Sequence, residues 1–173
     1  MSEKPGAFDF AGQKARNVSR WSATGWDDLA LFIGPNADRF HDAWEQTKEK
    51  ILAGRGGMAF GFCWPAFLFG FAWFLYRKMW LFAALLVIIP VTIAWFVESP
   101  GGSIGVAVAT AMFARSLYAH HAVARIAAIR ERGGDDAEIA RAGGVSLAGG
   151  IAGGIVLAIL AATILYPLVE NRL

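Results

Sequence analysis

Twenty-five consecutive residues, Val145 to Val169, carry no charge. As a helix they would run about 37 Å, longer than the roughly 30 Å hydrocarbon core of a bilayer. A second uncharged run, Met79 to Val97, is nineteen residues long, about 28 Å as a helix. Trp80 and Trp95 stand near its ends, where aromatic belts meet the headgroups, and Pro90 inside it predicts a kink. The Glu98 to Gly102 stretch reads as a tight turn. Ser103 to Tyr118 is apolar again, interrupted only by Arg115 near its far end, whose long side chain can snorkel. Its helix should continue through the more polar SLYAHHAVARIAAIRER to Gly133 and Gly134. Asp135 with Glu138 then suggests a capping box opening a short helix that ends before Gly143 and Gly144.

These runs predict three transmembrane helices, 79–97, 103–118 extending to 132, and 145–169. The composition agrees: 56% of the 173 residues are hydrophobic and mean hydropathy is +0.45. A soluble domain is nearer 45 to 50% apolar. Residues 1 to 57 differ, holding eight of the sixteen Lys and Arg and eight of the fourteen acids. That section is expected to be polar and cytoplasmic, since its first thirty residues lack the apolar core of a signal peptide. Residues 1 to 25 read as a loosely ordered arm carrying Trp21 and Trp26. WDDLALFIG suggests a short helix capped by Asp27 or Asp28. In PNADRFHDAWEQTKEKILAG, Phe40, Trp44 and Ile51, with Ala43 and Leu52 beside them, share one face of an amphipathic helix. The lone cysteine, Cys63, sits in an apolar stretch and reads as a buried structural thiol. A net charge of +2 gives no reason to expect nucleic acid as a partner.

Between the two sections lies FCWPAFLFGFAWFLYRKMW. The region between the second and third spans, with the end of the 103–118 run, holds Arg115, Arg125, Arg130, Arg132 and Arg141, so it should be cytoplasmic. Followed backwards, the Met79 end is cytoplasmic too, with Arg77 and Lys78 beside it. A full span over Met58 to Tyr76 would place Lys48, Lys50 and Arg55 outside, against the charge rule. A re-entrant or interfacial helix over 58–76 is therefore favoured, a fourth span being the alternative. Pro65 and the many aromatic residues fit an interfacial segment.

The residues Trp64, Ala66, Phe67, Phe69, Gly70, Trp73, Leu75, Tyr76, Arg77, Lys78 and Met79 resemble the core of a family of small bacterial membrane proteins, domain of unknown function 2628. Pro65 is peculiar to this chain, and Phe71 stands where that core usually has proline. Phe32 to Phe40, Tyr118 to Ile126 and Gly143 to Ser146 resemble its weaker motifs. The resemblance implies an integral inner-membrane protein with a cytoplasmic N-terminal section, and no activity.

Trp73, Arg77 and Trp80 fall at i, i+4 and i+7, so on one helix the guanidinium could lie between two indoles, as an anchor or as a contact for lipid or partner. With Tyr76 and Lys78 they are the candidate contact residues of this segment. Gly149, Gly150, Gly153 and Gly154 form overlapping GxxxG pairs, a seam either for packing within the chain, where the preceding span offers Gly105 and the Ala107–Ala111 pair, or for another protein. His41, His120 and His121 could bind a metal only together with other ligands; docking the N-terminal section is the simpler role. No nucleophile, metal or nucleotide motif occurs, so neither an enzyme nor a cofactor is expected. The expected fold class is an all-α membrane protein, and the expected role an accessory or assembly protein binding membrane lipids and a larger membrane complex or a second copy. A small oligomeric transporter or channel is the alternative.

Overall fold

The structure, a computed structural model, describes residues 9–96 and 102–170. Among these residues there are nine helices and no strand: α1 Phe10–Ala23, α2 Trp26–Ile33, α3 Asp38–Leu52, α4 Trp64–Phe69, α5 Phe71–Tyr76, α6 Trp80–Phe96, α7 Gly102–Glu131, α8 Asp136–Ala142 and α9 Leu147–Glu170.

The spine is the C-terminal part of α7. Its buried face is rich in alanine, at Ala111, Ala114, Ala119 and Ala122, with Tyr118, Val123, Ile126 and Ile129 between them. Small side chains let α1, α2, α3 and α4 approach closely, and all four pack on it. The helix stops as expected: Gly133 has φ +80°, and the amides of Gly133 and Gly134 bond back to the carbonyls of Arg130 and Ile129. This is a Schellman turn, which glycine closes without strain. Asp135 then caps α8 by accepting from the Glu138 amide.

The polar section folds onto this spine. In α3 the buried residues are Phe40, Ala43, Trp44, Thr47 and Ile51, the expected face, although Leu52 at the helix end is exposed. The section 1–25, expected as a loose arm, is instead helical over α1. Asp9 accepts from the Gly12 amide at its start, and Trp21 is buried at its far end against His120. One large buried side chain and a cap are enough to hold this helix, which is why no long apolar period announces it. Residues 1–8 lie outside the described residues. The cap of α2 is also corrected: Gly25 occupies the N-cap, and Asp27 and Asp28 sit in the first turn. There they face the positive end of the helix dipole.

The expectation of three spans is not met as stated. Among the described residues one helical stretch, Asp136–Thr163, in which α8 leads into α9, is long and apolar enough to cross a membrane. α6 is described over 17 residues, about 25 Å, and belongs with the shorter apolar helices. In α7 the uncharged part ends at Arg115, thirteen residues from its start, about 20 Å. The Glu98 to Gly101 part of the expected turn lies outside the described residues.

Nor is 58–76 one helix. Residues 58–63 form no helix, and α4 and α5 follow as two six-residue helices separated at Gly70. Gly70 has φ +47°, a backbone region that favours glycine. Pro65 falls in the first turn of α4, where its missing N–H costs no helical bond. This run lies along α7. The Gly61 and Cys63 amides donate to the carbonyls of Met112 and Ala111, and the Ala59 amide reaches the hydroxyls of Thr47 and Ser116. Thr47 and Ser116 are wholly buried and bond each other at 2.9 Å. The two buried hydroxyls and the Ala59 amide are thereby satisfied, as the interior requires.

Candidate functional site

The YRKM sequence is the junction of four helices. α5 ends in another Schellman turn, with the Lys78 and Met79 amides donating to the Leu75 and Phe74 carbonyls. Lys78 sits at the position usually given to glycine, at φ +59°. A side chain there costs about 1 kcal/mol or more, and this side chain has a use. The Lys78 ammonium donates to the carbonyls of Arg141 and Gly143, closing the C-terminal end of α8. Tyr76 contributes its carbonyl, which accepts from the Ser146 amide at 2.7 Å just before α9 begins. Met79 and Phe74 are buried together, the apolar contact that accompanies such turns.

This turn overturns the indole sandwich. The i, i+4, i+7 reading needs a continuous helix, whereas the chain leaves α5 at Arg77 and starts α6 at Trp80. Trp80 is 57% exposed. Arg77 turns the other way and lies 4.8 Å from the Phe40 ring centre and 5.0 Å from that of Tyr118. Its Nε is buried with no hydrogen-bond partner among the described residues. Trp73, Phe32 and Phe40 surround Tyr118 in turn.

Arg77 also lines a cavity of about 450 Å³ bounded by α3, α4, α5, α7 and α9. Its polar lining residues include Arg39, Arg77, Arg115 and Asn36, and its apolar ones Pro65, Phe69, Ala72, Gly150 and Gly154. No acidic residue lines it. None of the three guanidinium groups forms an ion pair among the described residues. Four other arginines are paired, Arg20 with Glu131, Arg55 with Glu49, Arg130 with Asp28 of α2 and Asp136 of α8, and Arg132 with Glu138, while Arg16, Arg125 and Arg141 form no ion pair among the described residues. Sequence reasoning found Arg77 but missed Arg39 and took Arg115 as a snorkelling side chain and one of the charges that set orientation. The available signal was Arg115 and Tyr118, which share a helix face at i, i+3.

The glycine seam faces α5. A Cβ at Gly149 would meet the Leu75 carbonyl oxygen at 2.7 Å, one at Gly150 the Tyr76 ring at 3.0 Å, and one at Gly153 the Ala72 Cβ at 2.6 Å. Gly154 has nothing within 4 Å and opens onto the cavity. Of the candidate contact residues, Tyr76 thus meets Gly150, Lys78 meets α8 and Arg77 faces Phe40 and Tyr118, while Trp80 stands apart. Trp73 is buried in the core.

The matching family model is that described as protein of unknown function (DUF2628), over residues 41–130, just more than half of the chain. The chain belongs to this family. The matched DUF2628 region takes in α4, α5, α6 and nearly all of α7, so the YRKM junction and the Arg77 and Arg115 side of the cavity lie inside it, whereas Arg39 and the α9 seam lie outside. No curated protein and no solved structure matches the chain.

Among the described residues no group of three His, Cys, Asp or Glu could hold a metal ion. The histidines dock helices instead. His120 donates from Nε2 to the Gly57 carbonyl at 3.0 Å and packs edge-on against Trp21 of α1. His121 meets Phe32 of α2, and His41 meets Trp26. Burial pushes the pKa of His120 down, partly offset by its bond to Gly57; burial and then Arg125 push that of His121 down. Both stay neutral in the fold while the unfolded chain takes up protons near pH 6.5. Stability should therefore fall as pH drops through about 6.5 and level off below the folded-state values. Thermal unfolding at pH 7.5 and 5.5 checks this, and a His120→Gln, His121→Gln variant should show the smaller pH dependence.

Proposed function

We propose that this DUF2628 protein is an integral accessory protein of the bacterial inner membrane, holding a helical head on the cytoplasmic face and joining a larger membrane complex or a second copy. The observation that carries the reading is the bare surface of α9. Leu147, Ile151, Ile155 and Ile159, four residues apart, form one ridge and are each 57 to 71% exposed. Only 11% of the most apolar eighteen-residue window is buried. On α6, Leu81, Ile88 and Val91 are similarly open. Monomeric soluble proteins rarely leave such continuous apolar surface in water. Lipid, or another apolar chain, is its natural cover.

In this reading α6, the first half of α7 and α9 enter the bilayer, and α4 and α5 dip in from the cytoplasmic side and return. Each of those two helices rises only about 9 Å, and the backbone of 58–63 is covered by α7, as non-helical backbone at depth must be. The described side chains of α6 and α9 include no ionisable group apart from Tyr166 near the end of α9, which argues for assembly over an ion path.

The chain is expected to stay with carbonate-washed membranes, to accept an active cytoplasmic reporter at its N-terminus, and to leave mild detergent as an assembly heavier than its own 18.6 kDa in a micelle. Recovery in the soluble fraction would sink the membrane reading. A monodisperse monomer, found in membranes, would sink the accessory role alone.

A further inference from the structure

The cavity between α3, α4, α5, α7 and α9 combines features that single out a ligand class. We propose that it is a binding site for the phosphate headgroup of an anionic phospholipid, held by Arg39, Arg77 and Arg115. This rests on the membrane reading above.

Three arginines line one space of about 450 Å³ with no acidic residue among its walls. Like charges brought together in a partly closed site repel, and a fold normally relieves this with acids. Here no acid lines the space, and the arginine–carboxylate pairs lie elsewhere, on Arg20, Arg55, Arg130 and Arg132. Arg77 is the decisive group. Its side chain is 93% buried, since its residue is 7% exposed, and its Nε has no hydrogen-bond partner among the described residues. The faces of Phe40 and Tyr118 support the cation without neutralising it. A buried, unneutralised arginine lining a cavity calls for an anion, and the planar guanidinium fork matches phosphate oxygens.

The apolar part of the lining argues for a lipid over a free ion. Pro65, Phe69, Ala72 and Gly154 are apolar. Phe69 is 53% exposed at the rim, and Gly154 adjoins Ile151 and Ile155 of the bare α9 ridge. A phosphate seated among the arginines would thus have its acyl chains beside surfaces that already need apolar cover. Gly154 helps directly: the place of its absent side chain is empty space opening on the cavity. The site also has the right depth. Arg115 stands on α7 where burial by the head begins, at Ala111 and Ala114, which in the membrane reading is the headgroup level. Basic pockets between membrane helices on the cytoplasmic side are suited to anionic headgroups in this way.

The test uses the full chain purified from carbonate-washed membranes and reconstituted in nanodiscs of phosphatidylcholine with increasing phosphatidylglycerol, lipids retained after detergent extraction being counted by native mass spectrometry. The wild type is expected to retain phosphatidylglycerol over phosphatidylcholine by tenfold or more. Because Arg77 is built into the core, the deciding variant is Arg39→Gln with Arg115→Gln, neither of them fully buried. Two charges at about a factor of five each give a loss of retention of roughly twenty- to thirtyfold, with unfolding temperature unchanged. Equal retention of the two lipids by the wild type would overturn the proposal, as would undiminished phosphatidylglycerol retention in a folded double variant. Displacement of the lipid by millimolar inorganic phosphate would overturn the lipid assignment in favour of a free-anion site. Absence of the chain from washed membranes would instead fail the membrane reading, so the two failures are distinct.

Discussion

Gly143→Ala is expected to destabilise the protein by about 3 kcal/mol or more, the range of severe overpacking. Gly143 ends α8, and its φ of −87° is open to any residue. The demand for glycine comes from its neighbour. A Cβ there would lie 1.9 Å from the Phe32 carbonyl oxygen, 2.6 Å from its carbon and 2.8 Å from Phe32 Cα. All three are backbone atoms, so no rotamer change can make room. Phe32 cannot retreat, because its side chain is 2% exposed and packs towards Tyr118 and His121. Its carbonyl is also held by the Gly144 amide at 2.6 Å. Gly143 cannot retreat either, because Lys78 holds its carbonyl from the other side. The alanine must therefore part α2 from α8 or break the Lys78 cap. For a chain of this size the cost corresponds to a fall of roughly 6 to 12 °C in unfolding temperature. Gly105→Ala is the control. It lies exposed in α7 with nothing within 4 Å of its Cβ position, so removing a helical glycine there should be neutral or slightly stabilising. Equal effects of the two changes would show that the α2–α8 contact does not have this geometry.

What the sequence disclosed and what it hid divide along a physical line. Local signals were legible: the α3 face carrying Phe40, Trp44 and Ile51, the stop of α7 at Gly133, the Asp135 cap with Glu138, and the family motif ending in YRKM. Each is written in residues within a turn or two of one another. The long-range consequences were not. Whether Lys78 would stand at positive φ depends on carbonyls sixty residues away at Arg141 and Gly143. Whether Arg77 would face Trp80 or Tyr118 depended on that same turn. Treating Trp73, Arg77 and Trp80 as one helix face carried a local period across a break that tertiary bonds impose. The membrane spans divide the same way. The uncharged runs were legible as helices, α6 and α9 following them closely, but how many cross a bilayer was not, since among the described residues one stretch is long and apolar enough to do so. The cavity could not have been found by period at all, since Arg39, Arg77 and Arg115 belong to three separate elements.

Gly153→Leu is expected to separate α5 from α9 inside a single chain. The Cβ of any residue at 153 would lie 2.6 Å from the Ala72 Cβ and 2.8 Å from its Cα, and leucine adds a branched group with nowhere to go. Gly149 makes the same demand one turn earlier, against the Leu75 carbonyl. The two glycines let the helices approach closely, and dispersion contact over that seam is what joins helices where water gives no help. Forcing it open should cost about 2 to 3 kcal/mol. Cys63 offers a direct readout, as the only cysteine in the sequence and just 4% exposed. It precedes α4, which packs on α5, so loosening α5 should raise its maleimide labelling about tenfold or more, by the population of open states that 1.4 kcal/mol or more would give. Gly154→Ala, with open space at its Cβ, should leave labelling unchanged. The assembly measured in mild detergent separates the two roles of the seam. If Gly153→Leu left Cys63 protected but dissolved the assembly, the seam would serve another protein; faster labelling with the assembly retained would place its work within the chain, leaving the Ile151, Ile155 and Ile159 ridge as the surface that meets a partner.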